Sequence, residues 1–118
     1  MGLDQYFFAL KDDPRESQNL VEVFSLNNHW KIHQYIINEF FTPMKIPQEK
    51  WPDQLVDITE MIDEMRDHHE NGTWPEVDYA EIRSNDERAD DGIYFECFLS
   101  AVKPFVKKGY LILYQCDF

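Results

Sequence analysis

The chain has 118 residues, 43% hydrophobic and 15% aromatic, and 23 acids against 11 bases give it a formal charge of −12. That length suits a single domain spanning 1–118, and so many Phe, Tyr and Trp exclude a disordered chain. The charge is concentrated: residues 53–91 hold 14 acids and three bases, net −11, and the rest nets −1. A field of one sign repels nucleic acid and attracts basic partners.

The N-terminal MGLDQYFFAL lacks the basic region and long apolar core of a signal peptide. No run approaches the roughly 20 apolar residues of a membrane helix. Tyr6 stands where a myristoylation signal wants Ser or Thr. Cys97 and Cys116 lie in apolar runs (YFECFLS, LILYQCDF) with no CxxC, which reads as two buried free thiols in a reducing compartment. The expected location is the cytoplasm of the cell that makes the protein, with no membrane partner.

In chain order, the aromatic LDQYFFAL (3–10) predicts a strand, and the charged KDDPRESQN (11–19) a loop. LVEVFSL (20–26) predicts a second strand, antiparallel to the first. Asn27 or Asn28 then offers a helix N-cap. Ile32, Ile36, Ile37, Phe40 and Phe41 follow helical spacing, and Pro43 and Pro47 end the pattern. The segment 47–72 predicts one long helix. Its apolar face is Leu55, Ile58, Ile62 and Met65, and its acidic face is Asp53, Asp57, Glu60, Glu64 and Asp67. Asn71-Gly72 supplies its stop.

VDYAEIR (77–83) suits a short strand. A further helix over about 87–108 carries Phe95, Phe98, Val102 and Phe105 inward, with Gly92 and Pro104 challenging its ends and straightness. Gly109 caps it. YLILYQCDF (110–118) is a terminal strand apolar on both faces, hence central or covered. The order predicts an α+β fold: a mainly antiparallel sheet of three to four strands with about three helices packed on it.

Three segments carry a likeness: MGLDQYFF (1–8), LNNHWKIHQY (26–35) and LILYQCDF (111–118). In order and spacing they resemble a family of small uncharacterised bacteriophage and prophage proteins. Its members open with MGLDMYL, carry W-R-K-H-W-x-[IL]-H-x-[WY], and close near FYYQ-[AS]-S-W. Here Leu26 replaces the first Trp of the middle motif, Asn27-Asn28 its Arg-Lys pair, and Phe118 the terminal Trp. The resemblance covers the whole chain. It implies a phage origin and a shared fold, and it assigns no activity.

His29 and His33 stand four apart within the middle motif, the spacing of zinc-binding helices. A metal there needs further ligands, and His69 on the next helix is the nearest in kind. On a helical wheel both rings fall inside the apolar stripe, where a buried imidazole needs a backbone carbonyl or a Tyr hydroxyl as partner. The structural role is the expectation, and no cofactor is implied. Phosphate-binding loops and GxSxG contexts are absent.

The expected partner-binding residues are Asp53, Asp57, Glu60, Asp63, Glu64, Asp67, Glu70, Trp74, Asp86 and Glu87. A helix would space such carboxylates about 5–6 Å apart, resembling the regular phosphate line of a nucleic acid. The expected function is an acidic binding protein engaging a basic host or phage protein, as a nucleic-acid mimic or an inhibitor of host defence. The alternatives are a small metal-dependent or Cys–His enzyme centred on His29 and His33, and an accessory structural protein with no discrete site.

Overall fold

A four-stranded antiparallel sheet in the order β2-β1-β4-β3 forms the centre of a computed structural model, which describes residues 2–11, 20–77 and 91–117. The expected strand VDYAEIR, the start of the third helix at 87–90, and the acidic contacts Asp86 and Glu87 lie outside the described residues. Among those described, the strands and α-helices are β1 (Asp4–Leu10), β2 (Val21–Asn27), α1 (Trp30–Ile36), continued by a π-helical turn (Ile37–Phe41), β3 (Val56–Asp57), α2 (Ile62–Asn71), α3 (Asp91–Lys107) and β4 (Leu111–Asp117). The fold is α+β.

β1 alternates as a half-covered strand should. Leu3, Gln5, Phe7 and Ala9 are buried, and the residues between them are partly or wholly exposed. It pairs Phe7 with Phe24 of β2 on one side and Phe7 with Tyr114 of β4 on the other. β4 is central, with Ile112, Leu113, Tyr114 and Cys116 buried, which is why its sequence is apolar on both faces. α3 packs Phe95, Phe98 and Val102 into the core, and Phe98 lies 4.5 Å from Phe7 between ring centroids. The helix continues through Pro104 to Lys107. Gly72 and Gly109, at φ 65° and 82°, take the left-handed turns that end α2 and α3.

Three expectations need correction. The segment 47–72 is not one helix. It is a 3₁₀ turn (Gln48–Asp53), the short strand β3, a second 3₁₀ turn (Thr59–Met61) and then α2. Pro52 disfavours the α conformation at Trp51 before it, and the free edge of β4 needs partners. Val56 and Asp57 pair with Tyr114 and Leu113, Ile58 N–H donates to the Ile112 carbonyl at 2.9 Å, and Thr59 Oγ1 accepts from Ile112 N–H at 2.8 Å. Leu55, assigned to the core face, is therefore 44% exposed.

The N-cap of α1 is neither Asn27 nor Asn28. His29 Nδ1 accepts from Ile32 N–H at 3.3 Å. Asn28, at φ 58°, instead ties β1 to the loop, its Oδ1 accepting from Leu3 N–H and its own N–H donating to the Leu3 carbonyl. Lastly, Cys97 is exposed, because it falls on the outer face of α3; only Cys116 is buried.

Candidate functional site

The two histidines are both buried, as their place in the stripe predicts, yet they face different neighbours. His29 caps its own helix through Nδ1, so in the neutral ring the proton sits on Nε2. Its ring lies beside Trp74 and Phe95, with centroids 6.3 and 6.2 Å away. His33 points to the sheet, its Nδ1 2.8 Å from the Tyr114 hydroxyl, with Trp30 and Trp51 edge-on at 5.9 and 5.8 Å. An imidazole bonded to a Tyr hydroxyl across the helix–sheet interface is the structural role expected of this pair.

Gln5 joins both histidines to the sheet, and sequence reasoning missed it. Its Oε1 accepts from His29 N–H at 2.8 Å, while its Nε2 donates to the His29 carbonyl at 3.1 Å and to the Tyr114 hydroxyl at 3.2 Å. Tyr114 thus accepts from Gln5 and shares a second hydrogen bond with His33 Nδ1. The signal was there: Gln5 is the one polar residue on the inward row Leu3, Gln5, Phe7, Ala9.

Burial supplies the electrostatics. It lowers His33 from 6.5 to about 4, so the ring is neutral at pH 7. Burial first, then the neighbouring Cys116, holds the Tyr114 phenol well above its usual value, which keeps it a donor. Burial also pushes the Cys116 thiol up to about 12, the opposite of what a nucleophile needs. Gln5, His29, His33 and Tyr114, from the three motif segments, thus meet in one buried hydrogen-bonded knot.

The metal candidates do not converge. His33 is committed to Tyr114, and His29 faces the aromatic cluster. His69 lies 4.9 Å from Phe95 between rings and 3.5 Å from Glu96. Among the described residues no group of three His, Cys, Asp or Glu side chains is placed to hold a metal ion. His29, Lys31, His69, Gly72, Trp74 and Gly92 do line a cleft of about 190 Å³. Cys97 lines a different, open concavity with Ile93, Glu96, Ser100 and Ala101, and no histidine is among these residues.

Trp74 is half-buried. It packs on Phe95 at 5.3 Å, His68 at 5.9 Å and Tyr35 at 6.2 Å, so much of its indole serves the interior. Glu64 lies beside both His68 (3.7 Å) and Tyr35. Burial first, then this carboxylate, raises the Tyr35 phenol.

Asp53, Asp57, Glu60, Asp63, Glu64, Asp67, Glu70 and Glu76 are all exposed, and Arg66 is the only base within 53–77. Arg66 pairs with Asp63 at 2.7 Å. Asp57 accepts from Thr59 N–H and its hydroxyl at 3.0 and 2.6 Å, a local turn. The acids are exposed on several consecutive elements, and regular helical spacing holds only within α2. The long charged line expected over 53–67 is broken by the two 3₁₀ turns and β3. Compared with family models, curated proteins and solved structures, the chain matches none of them. Among the described residues, no helix is long and apolar enough to cross a membrane.

Proposed function

We propose that the protein is a non-catalytic, phage- or prophage-encoded binding protein that engages a basic host or phage protein through the acidic face between Asp53 and Glu76. One observation carries this reading: eight exposed carboxylates lie in the segment from Asp53 to Glu76 with one arginine. Among the described residues no cation lies against Asp53, Glu60, Asp67 or Glu70. Such a surface attracts a basic patch at long range and is costly to leave unmatched. The likeness of the three motif segments to phage proteins supports the phage origin. It makes a host nucleic-acid-processing or defence protein the natural class of target.

The test is capture of a basic protein from cell lysate at low and moderate salt. The best variant is Glu60→Lys, Asp67→Lys, Glu70→Lys, because Asp57 holds a turn and Glu64 touches Tyr35 and His68. Wild type should capture a basic protein that salt releases, and the triple variant should lose it. Equal capture by both proteins overturns the reading. So does stoichiometric metal in the preparation with no partner, which would return attention to the histidines.

A further inference from the structure

The outer face of α3 has the opposite character to the acidic face. Residues 92–108 carry Glu96 against Lys103, Lys107 and Lys108, in a chain whose charge is otherwise strongly negative. Ile93 is 62% exposed, and Ile93, Glu96, Cys97, Ser100 and Ala101 line an open concavity. With Phe95, Phe98 and Val102 turned inward, Ile93, Glu96, Ser100, Lys103 and Lys107 run along the outward side at helical spacing.

We propose that this face binds a second copy of the chain, α3 against α3 in antiparallel orientation, with the two-fold axis between Leu99 and Ser100. The pattern is self-complementary under that operation. Glu96 and Lys103 lie on the same flank at equal distances on either side of the axis, so each Glu96 meets the partner copy's lysine, twice over. Ile93 meets the aliphatic stem of the other Lys107. The small side chains Cys97, Ser100 and Ala101 occupy the middle, where the backbones come closest. An isologous contact needs such matching of a surface with itself. It also suits a chain at −12 to associate through a helix on which the described bases outnumber the acids. One helix pair buries less than a standard interface, so the dimer is weak and depends on concentration.

Sedimentation velocity over protein concentrations from about 5 to about 500 µM reads it out directly. Wild type should shift from monomer to dimer. Glu96→Lys and Lys103→Glu should each remain monomeric, since either change sets like charges together. The double variant E96K/K103E should regain the dimer, and circular dichroism should show all four proteins folded. Register has its own probe. Copies of Cys97 would be about 7.5 Å apart along the axis alone, beyond disulfide reach, whereas copies of Ser100 are about 1.5 Å apart along it. Under mild oxidation C97S/S100C should therefore cross-link and wild type should not. A wild type that stays monomeric throughout overturns the proposal. So does a dimer indifferent to the single charge reversals, or a double variant that fails to recover.

Discussion

His33 is neutral at pH 7 because burial lowers it to about 4, and its Nδ1 bonds the Tyr114 hydroxyl. In the unfolded chain the same ring titrates near 6.5. Between those values the unfolded state binds more protons, so stability is full above about 6.5 and falls as pH drops towards 4. The gap corresponds to about 3 kcal/mol. Urea midpoints from about pH 7 to about pH 4.5 should fall steeply in wild type, and the slope should flatten in His33→Gln. Gln5 gives a second expectation. Gln5→Leu keeps roughly the volume but strands the buried His29 N–H and takes one of two bonds from the His29 carbonyl and from the Tyr114 hydroxyl. A loss of about 1–3 kcal/mol should appear in urea unfolding, the cost of one buried unsatisfied group. Tyr114→Phe removes the hydroxyl that bonds both His33 Nδ1 and Gln5 Nε2 and should cost a similar amount.

At the scale of elements, the instructive segment is 47–72. Its apolar and acidic residues keep helical spacing, yet its first half serves the sheet. The edge of β4 accepts Val56 and Asp57 as a two-residue strand, and the turn that follows is held by Asp57 on Thr59. Asp57→Ala should therefore cost about 1 kcal/mol, as loss of a capping carboxylate does. It should also speed amide exchange at Ile58, whose N–H bonds to β4. Asp67→Ala, on the exposed side of α2, should leave both unchanged. That contrast separates an acid that builds the fold from one available to a partner.

At the scale of the molecule, net charge is a cost that folding tolerates. Neutralising Glu60, Asp67 and Glu70 to Gln removes repulsion among exposed acids without touching any hydrogen bond described above. The thermal midpoint of that variant should match or exceed wild type at low salt. The difference should shrink as salt screens the field over about 10 Å. Lost capture of a basic protein, together with retained stability, would identify these acids as functional surface. The α3 face and the α2 face lie on separate elements and carry opposite charge, so self-association and partner binding can be separated by mutation.

Composition and spacing determined β1, β2, the start of α1, the described part of α3 and the centrality of β4, because in those segments local pattern and tertiary burial agree. It also placed both histidines inside the protein and found the glycine stops after α2 and α3. The tertiary structure decided the rest. It split 47–72, since the hydrogen-bond demand of a neighbouring strand edge leaves no periodic trace in the segment that satisfies it. It sent His29 to its own helix end and His33 to Tyr114, although a spacing of four suggested one shared site. It turned Cys97 outward, because an apolar neighbourhood in sequence does not say which side of a helix a residue occupies. Gln5 lies at the join of the two kinds of information: its sequence position marks it as an anomaly, and only residues 24 and 109 positions away show what it holds.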